Sequence, residues 1–187
     1  LCDVDPETLC VDVAQAAALV GPRTRALIAT DYGCMLSDHR ALQELADRHS
    51  LRVVHDAAHS LGSRYEGRMV GSFSDLCMFS FDPVKLVTAI DGGALVLRSE
   101  EELAAVREMR LVGMQQPTEV AYGSRRAWTQ DVARLGFRYH LSNMHAALAL
   151  AQLGKVDRMV ARRREACRRL AAGLGGCPEV TVPATDF

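Results

Sequence analysis

Two residue types stand out for the chemistry they could perform. The chain carries 22 basic residues, yet only Lys85 and Lys155 are lysines, so arginine does nearly every generic charge task. An arginine cannot give up its proton to become an amine nucleophile, whereas a buried lysine can. Lys85 lies in Ser80-Phe81-Asp82-Pro83-Val84-Lys85, just past an apolar strand-like run. The plain alternative for it is a solvated or ion-paired side chain. Asp56 ends a second apolar run and is followed by the small residues Ala57-Ala58-His59-Ser60, which would let a flat ligand approach the backbone. Its plain alternative is a helix cap. Together an amine and a carboxylate at strand ends suggest pyridoxal phosphate, which requires a lysine for its Schiff base and an acid to keep its ring nitrogen protonated. The aspartate would keep the ring an electron sink, and burial would have to pull the lysine well below its free pKa of about 10.4.

Such residues need a frame, and the hydrophobic pattern supplies one. Asp12 caps a short helix, 13–20, stopped by Gly21 and Pro22; an apolar run, 25–30, ends in Asp31-Tyr32-Gly33, with Asp31 a further candidate at a strand end. Ser37 or Asp38 caps a helix to about His49, and the strand 51–55 follows directly. Strand, helix, strand with short joints is a βαβ unit, whose parallel strands must be covered on both faces. Residues 64–68 read as a turn, then 76–81 and 93–97 as strands; Ser99 with Glu102 forms a capping box before a helix, 100–111, closed by Gly113. Met114 to about Leu135 is polar and irregular and holds Tyr122 and the sole tryptophan, Trp128. Ser142 opens a helix with almost no polar face, which predicts burial; a second helix from Val156 ends at Gly175 and Gly176, and 179–183 reads as one strand.

Length and composition narrow the rest. At 187 residues, 49% apolar and 24% charged, the chain fits one globular domain and the start of another. The net charge of -1 offers no field for nucleic acid or a membrane surface, and the apolar stretches are far shorter than the roughly 20 residues of a membrane span. The row Arg158, Arg162, Arg163, Arg164, Arg168, Arg169 lacks aromatic partners and reads as a solvated helix face. Six scattered cysteines without a CxxC pair fit a cytoplasmic location, and neither they nor the six histidines show metal-ligand spacing, so no metal is assigned. The opening at Leu1 without a signal segment reads as a strand entered in its middle, so a fragment of a longer chain is expected.

The ordered series Asp3-Val4-Asp5-Pro6-Glu7-Thr8, Asp56-Ala57-Ala58-His59-Ser60, Gly71-Ser72-Phe73-Ser74-Asp75, Phe79-Ser80-Phe81-Asp82-Pro83-Val84-Lys85, Asp91-Gly92-Gly93-Ala94 and Gly136-Phe137-Arg138-Tyr139-His140-Leu141-Ser142-Asn143 resembles the DegT/DnrJ/StrS sugar aminotransferases. The resemblance implies an α/β fold, a mixed, mostly parallel sheet flanked by helices. It would be part of the large cofactor-binding domain of a fold type I aminotransferase over residues 1–154, with 155–187 as a connecting helix and the start of the small carboxyl-terminal domain. It implies that Lys85 carries the Schiff base, Asp56 pairs with the pyridine nitrogen, His59 hydrogen-bonds near the cofactor's ring oxygen where the family often has glutamine, and Ser80 donates to the cofactor phosphate. Asn143 would reach the phosphate of the neighbouring subunit, making a homodimer with a shared active site. The reaction implied moves an amino group from an amino acid, with glutamate the expected donor, to a nucleotide-linked keto sugar. A non-catalytic dimeric ligand-binding or regulatory relative and a pyridoxal phosphate-dependent sugar dehydratase are the rivals; relatives that eliminate water typically carry histidine at the lysine position. Ile90 stands where the family usually has glycine, and Asp31-Tyr32-Gly33 replaces its commoner histidine version. The family's amino-terminal phosphate cradle and stacking aromatic are not in this sequence, so the fragment alone is expected not to bind cofactor tightly.

Overall fold

The computed structural model describes residues 1–115 and 131–182 and divides the chain into two compact units, residues 1–96 with 144–187, and residues 97–143. Tyr122 and Trp128 lie outside the described residues.

The first unit is built on a mixed, mostly parallel sheet flanked by helices. Its order is β1 (Ala26–Thr30), β2 (Arg52–Asp56), β5 (Leu76–Ser80), β6 (Gly93–Leu97), with β1, β2 and β5 parallel. The two-residue strands β3 (Arg64–Tyr65) and β4 (Arg68–Met69) form a small hairpin around the expected turn, where Glu66 and Gly67 take positive φ. Helix α1 (Val13–Ala18) starts where the Asp12 carboxylate accepts from the Ala14 and Gln15 amides. Helix α2 (His39–His49) is capped by Asp38 rather than Ser37 and buries Leu42, Leu45 and Ala46 as one stripe. Because β1, α2 and β2 are joined by short connections, the carboxyl ends of β1 and β2 come level: Thr30 pairs with Asp56, and the Asp31 amide donates to the Asp56 carbonyl at 3.0 Å.

Between these strand ends lies a buried polar cluster centred on Asp31, which is wholly shielded from solvent. Its Oδ1 accepts from the Ser37 amide and from His39 Nε2, each at 3.0 Å, and its Oδ2 accepts from His55 Nε2 and Ser60 Oγ, each at 2.6 Å. Burial by itself would raise the Asp31 pKa, but the hydrogen bonds from His39, His55, Ser60 and the Ser37 amide outweigh it and hold the carboxyl well below the usual range. Asp31 therefore has a structural task, not the ligand-facing one considered from its place at a strand end. The ligand atoms of Asp31, His39 and His55 lie within 4.8 Å of one another, but a metal would have to displace bonds already made.

Two expectations of burial fail for one reason: the described residues do not supply the opposing layer. Helix α4 (Asn143–Leu153) is apolar all round, yet it sends only Ala149 into the cluster of Phe81, Val87 and Ala89, while Met144 is 84% and Leu150 69% exposed. On β1, which stands at the end of the strand order, Ile28 is 67% exposed. Helix α5 (Val156–Leu174) follows and packs Val156 and Val160 against Gly62, leaving no room for a side chain there. The strand expected from 179 is absent from residues 179–182.

In the second unit, Ser99 caps α3 (Glu100–Met109) by accepting from the Glu102 amide. The backbones at Gly113 and Gly136 touch, and Glu108 holds Arg134 at 2.6 Å.

Ile90 adopts φ +74, a region that suits glycine and strains a β-branched residue. Ile90→Gly should stabilise the intact protein by about 1 kcal/mol in urea unfolding, since a strained non-glycine backbone costs roughly 1–3 kcal/mol and only part is offset by glycine's extra chain entropy. Asp31→Asn should destabilise it by about 3 kcal/mol, because an amide cannot accept all four bonds. The folded-state pKa of Asp31 lies below the unfolded value of about 3.9, so its contribution is complete above about pH 5 and disappears as pH falls through the folded value. The gap in urea stability between variant and parent should narrow as pH falls below about 4.

Candidate active site

At the carboxyl ends of β2 and β5 the first unit encloses an open cavity of about 470 Å³, whose lining includes Ala58, His59, Ser80 and Lys85. Position at strand ends of an open α/β sheet is where such folds bind ligands. The stretch after β5 explains how Lys85 arrives there. The Asp82 carboxylate accepts from the Val84 amide at 3.1 Å, and the Asp82 carbonyl accepts from the Lys85 amide at 3.0 Å, so Asp82-Pro83-Val84-Lys85 closes as a turn that brings Lys85 back against the strand end. Lys85 is half-buried, and its amine has no hydrogen-bond or ion-pair partner among the described residues.

Ser80 is the last residue of β5. Its Oγ accepts from the Asp82 amide at 3.3 Å, which leaves the hydroxyl proton free to donate elsewhere. The register is set from the next strand: a side chain at Gly93 would collide with the Phe79 carbonyl at 2.5 Å, so only glycine lets β6 lie this close. His59 is fixed in an equally directional way. The Gly33 amide donates to His59 Nδ1 at 3.2 Å, so the ring proton sits on Nε2 and that nitrogen is a donor. The Tyr32 ring stands 5.7 Å away, and the Cys34 thiol donates to the His59 carbonyl at 3.0 Å. Burial pushes the Cys34 pKa up, with the Arg163 guanidinium opposing it.

Asp56 ends β2 and is half-buried. It does not line the cavity itself, but its Oδ1 accepts from the Ala58 amide at 3.1 Å, and Ala58 and His59 do line it. Oδ2 has no donor among the described residues. Asn143, first residue of α4, is exposed and is not among the cavity's lining residues. The structure thus brings Lys85, His59 and Ser80 to one cavity, with Asp56 joined to its lining through the Ala58 amide, while Asn143 belongs to the second unit.

Two groups of residues escaped the sequence reading. The Asp31–His39–His55–Ser60 cluster holds the turn that carries His59; its one signal was a histidine, His55, closing an otherwise apolar strand. Arg163 and Arg164 were read as part of a solvated helix face, but they line the cavity with Val160 and Cys167. The spacing of Val160, Arg164 and Cys167 at i, i+4 and i+7 marks one helix face, and that face looks into the site.

Comparison with known proteins identifies the family and the fold. The sequence pattern of the DegT/DnrJ/EryC1/StrS aminotransferase family matches residues 1–186. The spore coat polysaccharide biosynthesis protein SpsC of Bacillus subtilis is 33% identical over 97% of this chain, which covers 46% of SpsC. The aminotransferase TlmJ of Streptoalloteichus hindustanus superposes with a TM-score of 0.89 at 31% identity, over 99% of this chain and 48% of TlmJ. The sugar aminotransferase CalS13 of Micromonospora echinospora gives a TM-score of 0.86 at 30% identity, over 99% of this chain and 51% of CalS13. The chain thus spans about half the length of the relatives it matches. On the extent of that match and the fold it accompanies, the chain belongs to the DegT/DnrJ/EryC1/StrS aminotransferase family.

Proposed function

We propose that this chain forms part of the active site of a pyridoxal phosphate-dependent aminotransferase that moves an amino group from an amino acid, glutamate being the expected donor, to a nucleotide-linked keto sugar. The observation that carries the proposal is the unpaired amine of Lys85 in one cavity with two donors whose free protons are accounted for, the Nε2–H of His59 and the hydroxyl of Ser80. The donor set fits pyridoxal phosphate: an amine for its aldehyde, a carboxylate at Asp56 with an unused oxygen for its ring nitrogen, and donors for its ring oxygen and phosphate. When bound, that group supplies an electron sink that acidifies the bond at the carbon bearing the amine.

The residues of the chain have separable tasks in this reading. Asp56 keeps a ring proton in place by opposing its charge. His59 donates through Nε2 because Gly33 occupies Nδ1, so the ring's orientation cannot reverse without losing that bond. Ser80 donates to a phosphate oxygen. Lys85, as a free amine in this cavity, would be the group able to take a proton from the substrate carbon and return it at the neighbouring position. Asn143 is assigned to the site of a second subunit in a homodimer; its exposure suits that role. Residues 1–154 would form part of the large cofactor-binding domain and 155–187 the connecting helix that leaves it. No helix among the described residues is long and apolar enough to cross a membrane, and six free thiols suit the reducing cytoplasm, where we place the protein.

In the intact protein, Lys85→Ala should abolish both turnover and the yellow colour of the bound cofactor; turnover surviving that change would remove the proposal. Asp56→Asn should keep the colour yet slow the half-reaction with glutamate by about 100-fold or more, read as the rate at which that colour bleaches. A protein whose colour never responds to any amino donor would be a binding relative instead.

A further inference from the structure

The lining of the cavity is electrically one-sided. Arg64, Lys85, Arg163 and Arg164 contribute to it, and no aspartate or glutamate does. The imbalance is local, since 22 basic residues face 23 acidic ones over the whole chain. Arg64 is tied to its own hairpin, donating to the Gly67 carbonyl at 2.9 Å. Arg163 and Arg164 have no ion pair or hydrogen bond among the described residues, whereas Arg168 on the same helix is paired with Glu165 at 3.3 Å.

Uncompensated like charges around one cavity repel, and a bound anion removes that cost. The proposed cofactor does not account for all of them. Lys85 would hold its aldehyde and the Ser80 hydroxyl its phosphate, so the two α5 arginines are left over. A cavity of about 470 Å³ is within the usual range for a small-molecule site, large enough for more than a ring and one phosphate. Each guanidinium is a rigid fork suited to two oxygens of one anionic centre. Two forks on consecutive residues match a ligand with two linked anionic centres better than one with a single carboxylate.

We infer that Arg163 and Arg164 bind the diphosphate of the nucleotide-linked sugar, so that α5 sets the enzyme's preference for a nucleotide-bearing acceptor. The inference rests on the function proposed above. α5 reaches the site because Val156 and Val160 press on Gly62, three residues beyond His59, which couples the helix carrying the arginines to the turn carrying His59.

The test compares two double variants of the intact, cofactor-loaded protein that remove equal charge from one helix. Arg163→Gln with Arg164→Gln loses the forks in the cavity; Arg162→Gln with Arg169→Gln loses two arginines that do not line it. Calorimetric binding of inorganic pyrophosphate should weaken about 10-fold or more in the first and stay within about twofold in the second. KM for the nucleotide keto sugar should rise by a similar factor in the first, with kcat changed by less than about threefold. Equal pyrophosphate affinity in the two variants would overturn the inference. So would a rise confined to the KM of the amino donor, which would assign the arginines to a carboxylate. If pyrophosphate binds through Arg163 and Arg164 while no amino donor bleaches the colour of the parent protein, the anion site stands and the transaminase reading falls.

Discussion

The arrangement of the site depends on one buried carboxylate. Asp31 joins elements far apart in sequence: the end of β1, the start of α2 through His39, the end of β2 through His55, and Ser60 in the turn that follows. His59 and Asp56 are thereby caught between two anchors, the Asp31 amide on the Asp56 carbonyl and the Ser60 hydroxyl on the Asp31 carboxylate. A charged group without solvent is tolerated only when its lone pairs are met, and here four donors meet them. The tilted contact of His39 with His55, ring centres 3.9 Å apart, and Phe73 beside both pack the donors themselves. What looks from outside like a flexible loop of small residues is held from beneath.

Most of the frame was legible because its signals are local. Asp12 and Asp38 cap the helices their side chains would suggest, and the apolar runs of β1, β2, β5 and β6 are found within a residue or two of their expected limits. The series of motifs from Asp3 to Asn143 carried the family, because an ordered set of short patterns constrains a fold far more than any one of them does. The parts that were not legible depend on tertiary geometry. No spacing rule predicts that His39 and His55 share one carboxylate, and burial of α4 was inferred from composition alone, which reports only that a face can be covered. The arginine row of α5 is solvated as its pattern suggested, with all but Arg164 exposed; what helical periodicity could not tell is that Arg163 and Arg164 also border the cavity, because that depends on how α5 packs against Gly62.

Charge in this molecule is therefore better described by location than by total. A chain close to neutrality still concentrates four cations without an acid around one cavity, while its acids sit elsewhere, as at Asp31 among hydrogen-bond donors and at Glu108 on Arg134. A low-dielectric concavity lined by one sign focuses the field at its mouth, which raises the encounter rate of an oppositely charged ligand even where the protein as a whole exerts no pull. Net charge excluded nonspecific partners and was silent about specific ones.

The outer margin of the sheet has a separate implication for handling the polypeptide. β1 ends the strand order, so one side of its ladder has backbone donors and acceptors without a neighbouring strand among the described residues, and Ile28 is bare on its sheet face. Such a rim templates the addition of any extended segment that reaches it, in register and without a barrier of shape. Purified by itself at high concentration, the polypeptide would be prone to self-stick along that rim, and a lysine substituted at Ile28 is the smallest change that should keep it dispersed.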